Sequence, residues 1–227
     1  MEKLLSPYDT SGMLVLSANY SQSAYVENLG SGKFEIRPLP KLAQVSPVNG
    51  IVTTDINSDG NLDVLLVGND YGNEVFAGMF DAATGLVLLG NGDGNFTPVS
   101  SFQSGFKVDG DAKALSKIKS VRGEELILAS QNLDSLRVFK NDGHSGEKRF
   151  FDPAPMDYWL ILEYDDGTRE KRELYYGGGY LSQSTRSNDI PSSVRRVVVY
   201  EFNGNERTID YKVSELTLTG ATTKSIK

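Results

Sequence analysis

Short apolar runs recur along the first two thirds of the chain, and each run ends in an amide side chain. They occupy residues 13–19, 63–69 and 125–131, so their starts lie 50 and then 62 residues apart. The runs are rich in Leu, Val and Ile and are too short for ordinary helices, which favours buried β-strands. Recurrence at this spacing predicts repeated units of several strands each.

A second strand, a glycine-containing turn and a phenylalanine follow each run, within residues 25–34, 86–96 and 136–150. Asn-Gly, Asp-Gly and Gly-Ser pairs supply the positive φ angles of tight hairpins. No segment before residue 150 shows a convincing helical period. The pattern predicts an all-β fold, and about three units of this size suit part of a β-propeller. A propeller closes with about four to eight blades, so we expect the remaining blades upstream.

The repeat ends at the two prolines within residues 153–155, because proline breaks strand pairing. Beyond them the pattern predicts two hairpins, at residues 158–176 and 194–213, each with an Asp-Gly or Asn-Gly turn. We therefore expect propeller repeats over residues 1–150 and a small C-terminal β-rich domain over residues 151–227.

The loop before the second apolar run carries oxygen side chains at alternate positions. Positions 1, 3, 5 and 9 hold Asp55, Asn57, Asp59 and Asp63, and the Asn61 carbonyl supplies position 7. Calcium takes about six to eight oxygen ligands, and alternate positions of a tight loop can face one centre. The three carboxylates offset the charge of the ion. The spacing predicts a calcium site in a β-loop, since a strand and not a helix follows it.

An acidic turn without a metal is the alternative, because Asp, Asn and Gly are the commonest turn residues. The carboxylate at position 9, directly before an apolar strand, favours the metal. The corresponding residues 117–125 have two lysines and a valine in place of the first three ligands, and residues 6–13 keep only Asp9. One intact calcium site is therefore expected.

Residues 55–67 resemble the calcium-binding repeats of the FG-GAP or VCBS-like family, which form integrin-type β-propellers. The hairpins at residues 25–34 and 86–96 resemble the outer strands of that family. The resemblance covers residues 1 to about 150. It implies a propeller fold and calcium ligands at the five loop positions named above.

Residues 177–184, Gly-Gly-Gly-Tyr-Leu-Ser-Gln-Ser, resemble the signature of the ASPIC/UnbV domain, which usually follows such repeats. Arg169 and Arg172 before it and the Val-rich residues 197–200 after it are similar too. A His-Phe-Gly-Leu-Gly segment of that family is absent, which removes support for any activity tied to its histidine. Proteins of this combined type are mostly exported and bacterial, so the resemblance implies a periplasmic, secreted or cell-surface location.

The amino-acid composition restricts the possible partners and the possible cellular compartment of the protein. Thirty acidic and 23 basic residues give a net charge of −7, which disfavours nucleic acid as a partner. No run approaches the roughly 18 apolar residues of a membrane helix. The chain has no cysteine, which excludes disulfides and thiolate metal sites. It also begins without a signal sequence, so either the protein stays inside the cell or the signal lies upstream, and the repeats favour the second.

The candidate ligand residues are polar or aromatic side chains in loops: Tyr71, Phe76, Phe80, Tyr180, Ser182 and Gln183. The first three lie in a long insert at residues 70–85, where aromatic rings can stack on a glycan or dock a peptide. A loop folded onto its own core is the alternative for the insert. A hydrogen-bonded polar turn is the alternative for residues 182–184. The single histidine, His144, lies in a turn-like loop, so no catalytic triad is expected.

These observations favour a non-enzymatic, calcium-stabilised binding or adhesion module that recognises a protein or a polysaccharide outside the cytoplasm. Calcium would neutralise the loop and fix the entry into the next strand. The alternative is a non-catalytic portion of a larger carbohydrate-active or redox propeller enzyme, whose active site uses blades absent from this chain.

Overall fold

The computed structural model describes residues 11–14, 16–141 and 149–211. Within these ranges the chain forms fifteen β-strands, one 3₁₀ turn and one short α-helix. The chain divides into two compact units, of which the first ends at Leu39 and the second begins at Pro40.

A hairpin forms the first unit. Strand β1 (Ala24–Gly30) pairs antiparallel with β2 (Lys33–Pro38). Arg37 of β2 makes an ion pair with Glu27 of β1, with 2.7 Å between nitrogen and oxygen. The hairpin that the sequence predicts at residues 25–34 is therefore present.

A four-stranded antiparallel meander begins the second unit, after a 3₁₀ turn at Lys41–Gln44. Its strands are β3 (Val48–Thr54), β4 (Asp63–Gly68), β5 (Leu86–Gly90) and β6 (Phe96–Val99). Each strand pairs with its neighbour in sequence, so the sheet order is β3-β4-β5-β6.

A second meander packs against the first. Its strands are β7 (Ala112–Lys119), β8 (Glu125–Gln131) and β9 (Arg137–Lys140), again in chain order. The apolar core between the sheets consists of Val52, Leu65, Val67, Val87, Phe106, Val108, Ala112, Leu115, Ile127 and Ala129. Gly50 of β3 permits this close packing, because a Cβ atom there would lie 2.7 Å from Cβ of Leu115.

A one-turn helix, α1 (Ser101–Ser104), lies between the two meanders. The Ser100 hydroxyl accepts the Gln103 N–H, and the Gln103 side chain accepts the Ser100 N–H, both at 3.3 Å. This reciprocal pair is a capping box, and Gly105 ends the helix with a φ of 73°. The hydrophobic pattern does not predict α1, because a single turn leaves no periodic signal.

Two further sheets form the C-terminal part of the second unit. Their strands are β10 (Arg149–Phe151), β11 (Asp157–Tyr164), β12 (Arg169–Glu173), β13 (Asn188–Ile190), β14 (Val194–Glu201) and β15 (Glu206–Asp210). Strand β10 pairs with β13, and the others form an antiparallel sheet in the order β12-β11-β14-β15. Their core consists of Phe151, Leu160, Leu162, Leu174, Ile190, Val194, Val197 and Val199. Both predicted hairpins are present over their described residues.

An ion pair between a buried carboxylate and a partly exposed guanidinium connects β11 to β15 across the intervening strand. Asp157 is fully buried and accepts hydrogen bonds from both terminal nitrogens of Arg207. It also accepts the Ala154 N–H at 2.7 Å. Burial alone would raise the pKa of Asp157, but the Arg207 guanidinium and the Ala154 N–H outweigh it and leave the pKa lowered.

The prediction of an all-β fold is confirmed for the residues that the structure describes. Their sheets are small and antiparallel, and none of them closes into a barrel. The domain boundary at residue 150 stays a prediction, and Asp9 and His144 lie outside the described ranges. None of the described helices has the length and apolar character that crossing a membrane requires.

Candidate functional site

The acidic loop at residues 55–63 joins β3 to β4. Two residues of its tight turn have positive φ angles, 63° at Ser58 and 88° at Gly60. Glycine adopts this left-handed backbone conformation at little energetic cost. Thr54 and Asp63 are opposite each other in the β3–β4 ladder. The sheet therefore holds both ends of the loop together.

The Asp55 carboxylate organises the first half of this loop. Its Oδ1 accepts the Ser58 N–H at 2.7 Å and the Asp59 N–H at 3.2 Å, and its Oδ2 accepts the Gly60 N–H at 3.0 Å. The backbone thus wraps around the carboxylate. A carboxylate has about four lone-pair sites, so these three bonds leave capacity for a cation.

Asn57 and Asp59 interact at the exposed tip of the loop. The Asn57 amide donates to Asp59 Oδ2 at 3.0 Å, and Asp59 Oδ1 accepts the Asn61 N–H at 2.8 Å. The Asn61 N–H, followed by the Asn57 amide, lowers the pKa of Asp59. Asp59 is therefore ionised at neutral pH, which is the form that binds a cation.

Asp63 has different surroundings, because it is fully buried at the start of β4. Its Oδ2 accepts the Ile56 N–H at 2.8 Å, and its Oδ1 accepts the Gly90 N–H of β5 at 2.9 Å. A buried carboxylate is costly unless hydrogen bonds compensate it. Asp63 therefore attaches the loop to the neighbouring strand.

A second polar turn, at residues 91–95, lies beside the acidic loop. Within it Asp93 Oδ1 accepts the Asn95 N–H at 3.0 Å. At the end of β5, a Cβ atom on Gly90 would lie 2.2 Å from the Leu62 carbonyl oxygen. Glycine at this position allows the acidic loop to pack directly against β5.

The donor chemistry of the acidic loop fits a hard divalent cation. Asp55, Asn57 and Asp59 offer side-chain oxygens, and Asn61 can add its carbonyl, which is the kind of set that calcium prefers. Among the described residues, no three acidic or histidine side chains form a metal-binding group. The residues that would hold calcium are thus Asp55, Asn57, Asp59 and the Asn61 carbonyl. Asp63 fixes the loop from the interior, and its assignment as a further ligand stays a prediction.

The corresponding residues 117–125 contain an ion pair instead. Lys117 Nζ lies 3.4 Å from Glu125 Oε2, and Glu125 Oε1 accepts the Thr54 hydroxyl at 2.8 Å. A lysine ammonium repels a cation. The expected absence of calcium from this stretch therefore has a physical reason.

The insert at residues 70–85 presents aromatic side chains to solvent. Phe76 is 89% exposed and Phe80 is 49% exposed. Tyr71 is 37% exposed, and its hydroxyl donates to the Asp109 carbonyl at 3.3 Å. Two of the three predicted ligand residues of the insert are thus free to meet a partner, while Tyr71 is partly engaged.

Asn69 holds the base of this insert. It is fully buried with a φ of 83°, and its amide donates to the carbonyls of Ala83 at 2.8 Å and Gly110 at 3.0 Å. Its Oδ1 accepts the Ala83 N–H at 2.9 Å and the Ser46 hydroxyl at 2.8 Å. The amide that ends the apolar run at residues 63–69 therefore fixes the start and the end of the insert.

The three candidate residues of the C-terminal loop differ in their availability. Tyr180 is 65% exposed. The Ser182 hydroxyl donates to the Leu115 carbonyl of β7 at 3.2 Å, and Gln183 Oε1 accepts the Gly177 N–H. Ser182 and Gln183 thus make internal hydrogen bonds, and Tyr180 alone projects into solvent.

The same loop covers the edge of β7. Ser184 Oγ accepts the Lys117 N–H at 3.0 Å, and the Thr185 N–H donates to the Lys117 carbonyl at 2.8 Å. These bonds satisfy backbone groups that an open strand edge would expose. They also join the Gly-Gly-Gly-Tyr-Leu-Ser-Gln-Ser segment to the second meander.

A cleft of about 240 Å³ lies between β3, β7 and residues 173–188. Thr53, Tyr175 and Thr185 line it and carry hydroxyl groups. Sequence analysis misses these three residues, because they belong to no motif and only the tertiary structure brings them together.

The chain matches no known protein-family model, and no curated protein matches it. The likeness to FG-GAP and ASPIC/UnbV proteins therefore rests on the residues quoted above.

Proposed function

We propose that this chain is a calcium-stabilised, extracytoplasmic binding module that recognises a protein or a polysaccharide. The acidic loop carries the proposal, because side-chain oxygens of Asp55, Asn57 and Asp59 lie within one tight turn that the sheet holds at both ends. In this proposal the two meanders are blades of an FG-GAP-like β-propeller, and the C-terminal sheets belong to an ASPIC/UnbV-like domain.

The packing of the two meanders supports their assignment as blades. The strands of each meander pair in chain order, and contacts between the meanders involve β3, β4 and β7. Consecutive blades of a propeller pack face to face in this way around a common axis. The apolar core between the sheets is consistent with such packing.

Calcium has a structural role in this proposal. The ion neutralises Asp55 and Asp59 and fixes the entry into β4. Extracellular modules commonly bind calcium with dissociation constants of about 10⁻⁴ to 10⁻³ M. Affinity in that range suits an environment rich in calcium outside the cytoplasm.

Exposed apolar side chains of the insert support a role in recognition. Val75 is fully exposed, Phe76 is 89% exposed and Met79 is 63% exposed, all within one loop. Clustered apolar residues at a surface mark sites of interaction more often than isolated ones do. The base of the insert is fixed by Asn69, so the loop is presented from a rigid support.

Thermal unfolding with and without calcium tests the proposal. At about 10 mM calcium, a dissociation constant of about 10⁻⁴ to 10⁻³ M stabilises the fold by about 1.4 to 2.7 kcal/mol. For a chain of this length that corresponds to a rise in Tm of about 3 to 10 °C over the value in chelator. Asp59→Ala should abolish the rise.

Asp93→Ala is the matched control, since Asp93 is an exposed aspartate in the neighbouring turn and accepts a comparable backbone N–H. This variant should keep the full calcium-dependent rise. The proposal would be contradicted if calcium did not change the Tm of the wild type. It would also be contradicted if Asp59→Ala and Asp93→Ala lost the calcium-dependent rise in Tm equally.

A further inference from the structure

The cleft between β3, β7 and residues 173–188 has a volume of about 240 Å³. Pockets for drug-sized ligands enclose about 300 to 1,000 Å³, so this cleft suits something smaller. It is open on one side, where Tyr175 forms part of the rim with 66% of its surface exposed. A longer ligand could therefore insert one unit and continue across the surface.

The charged side chains that line the cleft already contact other groups of the protein. Lys117 lies 3.4 Å from Glu125. Arg186 donates to the Ala154 carbonyl at 3.2 Å, and its guanidinium stacks on the Tyr176 ring at 3.9 Å from the centroid. Arg186 has no carboxylate partner among the described residues, but the carbonyls of Ala154 and Asp157 and the Tyr176 ring hold its guanidinium. The charges of the cleft are therefore engaged with the protein itself, which favours an uncharged ligand.

Three hydroxyl groups of the cleft remain available. Within the described part of the chain, the hydroxyls of Thr53, Tyr175 and Thr185 make no hydrogen bond. Gly178 leaves open space beside them, because a Cβ atom at this position would meet nothing within 4 Å. Hydroxyl donors and acceptors beside an exposed aromatic ring match the polar edge and apolar face of a sugar ring.

We propose that this cleft binds one neutral sugar ring of a polysaccharide, with Tyr175 stacking on the ring and the hydroxyls of Thr53 and Thr185 bonding to its hydroxyl groups. The proposal rests on the recognition function proposed above and names the class of ligand. It assigns recognition to Tyr175 and not to Tyr180, which lies outside the cleft lining.

An array of immobilised oligosaccharides tests this site with the full chain in calcium. The neutral probes are glucans, mannans, xylans and galactans, and the acidic probes are alginate, polygalacturonate and hyaluronan. The wild-type protein should bind to at least one neutral glycan on the array. Tyr175→Ala should weaken that binding about tenfold through loss of stacking. Thr53→Val keeps a β-branched side chain in β3 and should weaken it about fivefold through loss of one hydrogen bond.

Tyr180→Ala is the matched control, because Tyr180 has the same chemistry and nearly the same exposure, 65% against 66% for Tyr175. It should bind the neutral glycan as the wild type does. The assignment would be overturned if the wild type bound only acidic glycans or no glycan. It would also be overturned if the Tyr175 and Tyr180 variants lost glycan binding equally.

The same preparations separate this inference from the proposed calcium function. If the wild type binds no glycan on the array but its Tm still rises with calcium, the sugar site is overturned and the calcium loop stays supported. Binding of a neutral glycan without any effect of calcium on Tm supports the sugar site and overturns the calcium loop.

Discussion

Two aspartates of the acidic loop, Asp59 and Asp63, lie four residues apart in very different surroundings. Asp59 is exposed at the tip, where backbone and amide hydrogen bonds keep it ionised. Asp63 is fully buried and accepts N–H groups from Ile56 and Gly90. The first is therefore available to a cation, and the second maintains the loop whether or not a cation is bound.

Asp63→Asn tests this division of roles. An amide can accept through its oxygen only, so one of the N–H groups of Ile56 and Gly90 would face an NH₂ group and lose its acceptor. We expect the free energy of unfolding to fall by about 1 to 3 kcal/mol, in calcium and in chelator alike. Urea denaturation of Asp59→Asn in chelator is the control and should show a much smaller change. Wild-type stability of Asp63→Asn in chelator would refute the buried role.

The sequence predicts the loop well at the scale of single residues but not the roles of its members. Alternating oxygen side chains and Gly60 identify a tight acidic turn. The spacing alone treats Asp63 as equivalent to Asp55, because burial depends on β5, which is distant in the chain. The bond from Gly90 to Asp63 has no local signal.

Elements with strong local signals are the ones that the sequence predicts. The hairpins β1–β2 and β11–β12 follow from Gly-containing turns between runs of strand-forming residues. The pairing of β10 with β13 is not predicted, because each has only three residues and they lie far apart in the chain. Short strands of this kind are specified by tertiary contacts.

The sheet β12-β11-β14-β15 depends on the ion pair of Asp157 and Arg207. The pKa of Asp157 is lowered in the folded protein, so its contribution to stability is complete above about pH 5, since the unfolded value is about 3.9. That contribution is lost as the pH falls further, through the lowered pKa. We expect urea midpoints of the wild type to drop between about pH 5 and pH 3.

Arg207→Met should lower stability at neutral pH by about 2 to 3 kcal/mol, because Asp157 would remain buried without its partner. The variant should also lose less additional stability on acidification. Arg196→Met is the control, since Arg196 pairs with Asp210 at an exposed position and should contribute less than about 1 kcal/mol. Arg196 also lies 3.8 Å from the buried Glu163, but Glu163 keeps its closer partner Arg169 in this variant. Equal effects of the two substitutions would contradict the account of the pair of Asp157 and Arg207.

At the scale of the whole molecule, the cleft that we propose as a sugar site is formed by contacts that join distant parts of the chain. Ser184 and Thr185 cover the edge of β7, and the cleft that results combines Thr53 with Tyr175. Sequence motifs identify the Gly-Gly-Gly-Tyr-Leu-Ser-Gln-Ser segment as distinctive, but they suggest ligand contacts at Ser182 and Gln183. The structure shows those two side chains bonded internally. Gln183 lines the cleft, and the tertiary structure adds Thr53, Tyr175 and Thr185 to the lining.

Calorimetric titration of the full chain with calcium tests the central claim most directly. We predict saturable binding at one site, with a dissociation constant of about 10⁻⁴ to 10⁻³ M, that is lost in Asp59→Ala and retained in Asp93→Ala. A wild-type titration without saturable heat, in a protein shown by circular dichroism to be folded, would contradict a calcium site in the loop at residues 55–63.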